Sequence, residues 1–494
     1  MAKKRSKKTK KVINIISIIV GIIYFISFIT FNYMILYLNV LPTKYLIPYL
    51  AIMILLFIVF IVFFFVKKIK SGIKIFSVLI GIIFSLIFGF GSFYISKTYD
   101  FMDKIGSKNM TIEEYYVVVN NDSEYKKITD LKGKKIGIYD EKIEIFDKAL
   151  EELKTAVSAK TEKIESIDLM TKVLIEDNLD AILISSAHKS VVDENSSIFK
   201  ETTKIIHTIQ IEVKNEDAVK HSNINISNDV FTVYISGMDS YGNISARSRS
   251  DVNMLATINP KTHEVLLTSI PRDYYVQLHG TTGTKDKLTH SGFYGVNSSK
   301  ATIEDLLDIK IDYYVKANFS AVQGIVDVIG GVDVYSDASF YTGADPTIFI
   351  RQGTNHMDGR TALAFARERH AYIDGDRHRV KNQQDVLMAV VKKLTSSTAL
   401  LTKYSELLDK LSNSFETDIQ TKDITGLIKY QIDKMPSWVF KNYSLDGTDS
   451  ENYTYSMGRD LLYVMEPNYD TVKTASKYIN QMKKGKSFSK IGIE

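Results

Sequence analysis

The sequence predicts a membrane-anchored α/β protein: three N-terminal transmembrane helices, a small α/β domain, then a larger mixed-sheet α/β domain. Three observations predict it. The first hundred residues hold three long apolar stretches and no acid before Asp100. From about Thr111 onward, strand-like and helix-like segments alternate. Turns bearing Gly, Pro, Asn or Asp separate them at short intervals.

The apolar stretches come first. "VINIISIIVGIIYFISFITFNYM" starts at Val12, "YLIPYLAIMILLFIVFIVFFFV" covers Tyr45 to Val66, and "IKIFSVLIGIIFSLIFGFGSFYI" covers Ile73 to Ile95. Each reaches roughly 20 residues, enough to cross the hydrocarbon core of a bilayer. No small-residue cleavage pattern follows the first, so they read as retained helices rather than a signal peptide. Residues 1–99 carry 12 Lys and Arg5, a sum of +13 within a chain total of +5, which leaves −8 for the remainder. "KKRSKKTKK" precedes the first helix and "KKIKSGIK" joins the second to the third, whereas only Lys44 lies between the first and second. Lys and Arg stay in the cytoplasm. Residues 1–11 are therefore expected inside, 12–95 in the membrane, and everything beyond outside. An acidic main body is the reverse of a DNA binder's charge, so DNA is not an expected partner. The absence of cysteine excludes disulfides, thiolate zinc sites and cysteine nucleophiles.

Residues 96 to about 108 read as a short polar tether. An accessory α/β domain is expected over 108–215. "EYYVVVN", "KKIGIYD" and "DAILISS" read as strands, and "EIFDKALEELKTAV" and "DLMTKVLIEDNL" as helices. Their alternation favours a mainly parallel sheet. No catalytic constellation stands out there.

A larger domain is expected over 228–482. "VFTVYISGMDS", "DVNMLATINP" and "EVLLTSIPRD" read as strands, the last two joined by the turn "NPKTH". "KATIEDLLDI" reads as a helix, "DYYVKANF" as a strand, and "SAVQGIVDVIGG" as a helix with a glycine stop. "GRTALAFAR" and the long amphipathic "RVKNQQDVLMAVVKKL" are helices, and a closing strand is expected near "YTYSM".

Four sets of residues carry chemistry. Asp239 and Asp251 flank one loop between two strands, so both carboxylates can approach one point, as Mg²⁺ prefers; they can equally be turn formers. Arg247 and Arg249 share that loop, and Arg272 follows in "SIPRD". Cations beside a metal site need a bridging anion. The segment "RERHAYIDGDRHRVKNQQ" concentrates Arg367, Arg369, Arg377, Arg379 and Lys381. Clustered guanidinium groups suit a planar, multiply charged anion. Arg379 and Gln383 are four apart and share a helical face. Arg367 and Arg369 would point the same way in an extended stretch, and Asp376 is placed to cap the helix. Finally, "TIEDLLDIKI", "VQGIVDVIGGV" and "VLMAVV" are either core or the lining of a slot for a lipid tail.

"SIPRD", "KLTHSGFYG", "GGVDV", "GTNHMDGRTALAFARERH" and "DGDRHRVKNQQ", in this order, together resemble the LytR-CpsA-Psr family over about residues 228 to 482. The three membrane helices and the accessory domain further resemble the capsule-locus members of CpsA or Wzg type. The resemblance implies an α/β/α fold with a hydrophobic tunnel for a polyprenyl chain. It implies phosphotransfer of a capsular glycan from a polyprenyl pyrophosphate carrier to peptidoglycan, with Mg²⁺ or Mn²⁺ and with other capsule assembly proteins as partners. Asp239 and Asp251 would hold the metal. Arg247, Arg249, Arg272, Lys287, Arg367, Arg369, Arg379 and Gln383 would grip the pyrophosphate. Arg249, Arg272, Arg367, Arg369 and Asp251 would carry catalysis, Asp251 or a nearby water serving as base. "KLTHSGFYG" departs from many relatives, which puts His290 and Val296 in question as substrate contacts.

Two rival activities share these features. A membrane regulator of capsule gene expression or chain length would act through the cytosolic tail, which is too short to fold. A pyrophosphatase would use the same site with water as acceptor.

Overall fold

In the computed structural model, the described residues are 2–105, 110–141, 143–214, 224–238, 244, 247–373, 375–396, 408, 411–412, 414–458 and 461–493. The chain divides into two units: residues 1–104 with 420–437, and residues 105–419 with 438–494.

The first unit holds helices α1 (Ala2–Leu38), α2 (Thr43–Phe65) and α3 (Ser71–Ile105). Three spans within them, Lys10–Leu38, Thr43–Phe65 and Ser71–Met102, are long and apolar enough to cross a membrane. Val20, Tyr24, Phe28, Phe60, Phe64 and Phe88 form their buried seam. Gly21 and Gly81 let the backbones close on Phe64: a Cβ at Gly21 would lie 2.9 Å from Phe64 Cβ. The expected tether is helical as far as Ile105. "TYDFMDKI" contains no Gly or Pro to stop α3, and Met102 and Ile105 are buried. The helix Thr421–Lys434 joins this unit, with Asp433 Oδ1 3.0 Å from Lys44 Nζ.

The second unit contains both α/β domains. The accessory domain runs through β1 (Met110–Asn120), β2 (Lys135–Ile138), α4 (Glu144–Ala156), β3 (Lys160–Lys163), α5 (Ile167–Ile175), β4 (Ala181–Ser185), α6 (Ser186–Asn195), α7 (Ser197–Thr202) and β5 (Thr203–Lys214). Strand order is β3-β2-β4-β1-β5. β2 pairs in parallel with β3 and β4, but β1 pairs antiparallel with β4 and β5. The sheet is therefore mixed rather than mainly parallel. β4 and β5 flank β1 and both run opposite to it, so they point the same way with α6 and α7 as the crossover between them, and β1 is the strand that breaks the parallel pattern.

The larger domain is built on six strands in the order β16-β11-β6-β7-β8-β17. β6 (Phe231–Met238), β7 (Val252–Asn259) and β8 (Glu264–Ile270) form an antiparallel meander. The hairpin register pairs Asn259 with Glu264. β9 (Tyr275–Val276) and β10 (Asp286–Lys287) make a small ladder, then α8 (Val296–Leu307) leads to β11 (Tyr313–Asn318), parallel to β6. α9 (Phe319–Val328) stops at Gly330 and Gly331, whose φ values of 78° and 83° suit glycine alone. β12 (Val332–Ser336), β13 (Phe340–Tyr341), β14 (Phe349–Ile350) and β15 (Gly353–Met357) precede α10 (Gly359–Ala366) and α11 (Asp376–Ser396). β16 (Phe415–Thr417) and β17 (Val439–Ser444) complete the sheet, and β18 (Gly447–Tyr453) pairs with β19 (Leu461–Pro467). The expected closing strand is thus β19; "YTYSM" forms the turn before it.

Alternation along β7 sorts its side chains to two faces. Leu255 faces a core with Ile303, Leu307, Ile311, Val472 and Ile479. Met254 and Ala256 face Val265, Leu267, Leu387 and Met388. Helices on both faces make an α/β/α sandwich. The three apolar stretches, read as core or as the lining of a slot, fall into two clusters. "TIEDLLDIKI" packs on one side of the sheet, while Val326, Ile329, Val332, Val334, Val386 and Val390 share a cluster from α9, β12 and α11.

Candidate active site

Three strand ends meet at one edge of the large sheet. Gly237 pairs with Val252 and Asn253 with Ile270, so the end of β6, the start of β7 and the end of β8 are neighbours. Gly237 is needed there, because a Cβ would lie 2.7 Å from Val252 Cβ. Asp251 stands just before β7, its N–H donating to Gly237 O at 2.8 Å. Pro271 ends β8, and Arg272 follows. Arg272 Nη1 donates to Asp251 Oδ1 at 2.6 Å, and its Nε to Asp273 Oδ2 at 3.3 Å. Lys287 Nζ donates to Asp273 Oδ1 at 3.1 Å, and Thr289 Oγ1 to Asp251 Oδ1 at 3.2 Å.

A buried polar network holds the loop beneath. Tyr234 Oη contacts Ser250 Oγ at 2.8 Å and donates to Asn253 Oδ1 at 2.6 Å, and Ser236 Oγ contacts Ser250 Oγ at 2.7 Å. Gly292 of "KLTHSGFYG" presses on this loop; a Cβ there would fall 2.3 Å from Ser248 O. His290 is fully buried, with Nδ1 2.7 Å from Asp286 Oδ1, and its ring stacks on Phe293. Its place is in the packing under the site.

α11 brings Arg379, which is buried, to the same edge. Gln384 fastens the helix to β8 by donating Nε2–H to Ser269 Oγ at 2.7 Å. Gln383, half-buried, lies one turn beyond Arg379. Burial pushes the Asp251 carboxyl up, but the positive charges of Arg249, Arg272 and Arg379 outweigh it and hold it well below the ordinary carboxylate range. Asp273 is held low in the same way, burial being outweighed by Arg272, Lys287 and Arg379. A carboxylate held so firmly ionised is a weak proton acceptor, so of the two candidates for general base, Asp251 and a water near it, Asp251 itself suits a ligand better.

The other arginines have separate fates. Arg249 pairs with Glu194 of α6, in the accessory domain. Arg369 Nη2 lies 3.7 Å and Arg272 Nη2 3.5 Å from the same carboxylate. Arg367 caps α10 with helix-like backbone (φ −97°, ψ −7°), so it does not share an extended stretch with Arg369. Arg247 turns to the accessory domain, its Nε 3.6 Å from Glu113 Oε2, instead of joining the group around Asp251. Arg377 bonds to Asp446 and the Gly447 carbonyl, and Lys381 to Asp337 and Asp385, so these two cations are structural. Glu368 is buried and accepts the N–H groups of Gly343, His370 and Ala371, shaping the turn rather than neutralising the arginines.

Sequence reasoning missed Glu194. "SAHKSVVDEN" reads as a solvated helix face, with Lys189 and Asp193 paired four apart at 2.7 Å, and nothing in it marks the next residue as special.

Asp239, the other expected metal ligand, and the Asp376 side chain lie outside the described residues. Among the described residues no group of three His, Cys, Asp or Glu is arranged to hold a metal. Asp251 nonetheless fits a hard cation: its Oδ2 is buried and receives no hydrogen bond among the described residues, so lone pairs remain open.

The sequence profile of the LytR_cpsA_psr family matches residues 192–477. A Bacillus cereus polyisoprenyl-teichoic acid–peptidoglycan teichoic acid transferase, TagU, is 34% identical over 226 residues, 45% of this chain and 72% of the relative. Bacillus subtilis TagT, a transferase of the same description, is 34% identical over 211 residues, 41% of this chain and 64% of the relative. The solved structure of TagT bound to LI-WTA is 28% identical, covering 54% of this chain and 94% of that one, with a TM-score of 0.44.

Proposed function

The chain belongs to the LytR_cpsA_psr family, and from that premise we propose that it is a membrane-anchored transferase moving a glycopolymer from a polyprenyl pyrophosphate carrier to peptidoglycan. The names of its relatives TagU and TagT support the reaction class. The observation that carries the reading is the meeting of Arg249, Arg272 and Arg379 around Asp251 at the sheet edge. Such a concentration of buried guanidinium groups suits a diphosphate. We assign the polymer as capsular polysaccharide, in keeping with the three apolar helices and the accessory domain, and place the α/β domains outside the membrane with capsule assembly proteins as neighbours.

The reaction is a phosphoryl-type transfer that needs positioning and charge neutralisation more than covalent help. A peptidoglycan hydroxyl oxygen attacks the glycan-side phosphorus. A new P–O bond forms, the bond from that phosphorus to the bridging oxygen breaks, and polyprenyl phosphate leaves with the electron pair. The hydroxyl proton passes to solvent. Arg249, Arg272 and Arg379 hold the phosphates and stabilise charge on the leaving group. Arg367, Arg369, Lys287 and Gln383 are assigned to the same grip. Asp251, with Asp239, would hold Mg²⁺ or Mn²⁺, which when bound neutralises phosphate charge. The apolar seam between the sheet, through Met254, Ala256 and Leu267, and Arg379's helix, through Leu387 and Met388, is the proposed seat of the prenyl tail.

The test is transfer of a labelled glycan from a polyprenyl pyrophosphate donor to peptidoglycan by the purified full chain, with and without EDTA. Label on peptidoglycan, lost in Arg272→Ala and in EDTA, is the expected result. Label released only as free glycan phosphate would mean that water is the acceptor and the chain is a pyrophosphatase.

A further inference from the structure

Glu194 belongs to the accessory domain, yet its side chain ends on the anion-binding face of the larger one. Its Oε2 pairs with Arg249 Nη1, and its Oε1 lies 3.5 Å from Arg272 Nη2 and 3.7 Å from Arg369 Nη2. A carboxylate and a phosphate offer a guanidinium the same thing, paired oxygens carrying negative charge. Both cannot take the same N–H groups at once.

The helix that presents Glu194 is firmly built. Ser185 caps α6, its Oγ accepting from His188 N, and Ala187, Val191 and Val192 are buried. His188 then ties α6 to the larger domain: Nδ1 is held within the accessory domain, 3.0 Å from Glu141 Oε1, and Nε2 reaches across to lie 3.1 Å from the Ser456 carbonyl. Its ring packs on Phe293 at 5.0 Å. Glu113 of β1 meets Arg247 on the same side. These buried contacts fix the approach of α6, so Glu194 is delivered to the arginines by a docked domain. Burial raises the Glu194 carboxyl, but Arg249 and Arg272 more than offset this and keep it below its ordinary value. It is therefore an anion at neutral pH and a weak proton acceptor.

Resting on the diphosphate reading of the arginine cluster, we propose that Glu194 is part of the anion site: a tethered carboxylate that holds the place of one phosphate between turnovers and exchanges with the substrate's diphosphate. It sets how tightly the arginines grip, and by returning to them it helps polyprenyl phosphate to leave. This gives the accessory domain a task in the reaction, as the element that positions the competing carboxylate.

The experiment is calorimetric titration of the full chain in detergent with two probes, farnesyl diphosphate and inorganic pyrophosphate. Wild type is compared with Glu194→Gln, Glu194→Ala and Glu194→Asp, with Arg249→Ala as the control on the site itself. Removing a competitor that occupies most molecules tightens apparent affinity by the reciprocal of the free fraction, here roughly tenfold. Glu194→Gln and Glu194→Ala should both show this, with both probes, while Glu194→Asp should stay near wild type. Arg249-dependent binding that is unchanged or weakened in Glu194→Gln and Glu194→Ala overturns the role of Glu194 and leaves the diphosphate reading standing. Binding that is absent, or indifferent to Arg249→Ala, overturns the diphosphate reading and this inference with it. A melting temperature for each variant shows whether a change reflects the site or the fold.

Discussion

Arg272 touches three carboxylates, Asp251, Asp273 and Glu194, and is itself buried. Removing it leaves Asp251 and Asp273 short of their main partner in a dry environment. Breaking a buried pair in this way costs about 3–5 kcal/mol. Arg272→Ala should therefore lower stability by that order in urea unfolding and abolish glycan transfer. Arg272→Lys should restore less than full activity, because one ammonium cannot repeat the fork that reaches Asp251 and Asp273 together. A fully active, fully stable Arg272→Ala would contradict the geometry. Gly292→Ala makes a second test: a Cβ 2.3 Å from Ser248 O must displace the loop that carries Arg249 and Asp251, so transfer should fall while the sheet stays folded by circular dichroism. At this scale the sequence was informative about types and less so about partners. Clustered guanidinium groups suggested an anion site, and of that cluster Arg379 converges with Arg249 and Arg272 on Asp251. Arg247 and Arg377 were indistinguishable from them by type, yet their partners Glu113 and Asp446 lie far away in the chain. Ion pairing across 69 residues, as between Arg377 and Asp446, leaves no local pattern to read.

The docking of β1 and α6 is an element-scale feature with a pH signature. Burial pushes the Glu113 carboxyl up to about 8, against the pull of Arg247 and with further push from Glu141; His188 and Lys316 also face it. A group whose folded value is raised binds its proton more tightly when folded. Its contribution to stability is complete below the ordinary carboxylate range and is lost as pH rises through about 8. His188 points the same way: burial lowers it, but Glu141 and the Ser456 carbonyl lift it above the ordinary histidine value. Hydrogen exchange of β1 and α6 should therefore quicken as pH rises from the ordinary carboxylate range to about 8, beyond the chemical rate, and Glu113→Gln should flatten much of that change. Protection that strengthens with pH in the wild type would be inconsistent with it. The helices and strands were mostly visible from periodicity, including the glycine stop of α9. The sheet order of the accessory domain was not, because the placing of β1 between β4 and β5, opposite in direction to both, has no mark within "EYYVVVN" itself. α3 overran its expected end for a related reason: polarity suggests a tether, but helix continues until a breaker appears.

At the scale of the whole molecule, three apolar helices with lysines on one side predict α/β domains outside the cell. The absence of cysteine makes this directly measurable. Ile373→Cys, at a fully exposed position, should react in intact cells with a maleimide that cannot cross membranes, while Ser6→Cys in the basic tail should react only after lysis. The reverse pattern would invert the topology. The three apolar helices were the most legible feature of all, since hydrophobic length is a property of composition. The grouping of Thr421–Lys434 with the membrane helices was not legible, because its amphipathic spacing is equally that of a helix packed on a sheet.

The most direct measurement is a structure of the full chain with farnesyl diphosphate bound in the presence of Mg²⁺. The account predicts both phosphates against Arg249, Arg272 and Arg379, Glu194 withdrawn from them, and the prenyl chain along Met254, Leu267 and Leu387. Phosphates seated away from those three arginines, or a tail lying on the opposite face of the sheet beside Ile303 and Leu307, would contradict it.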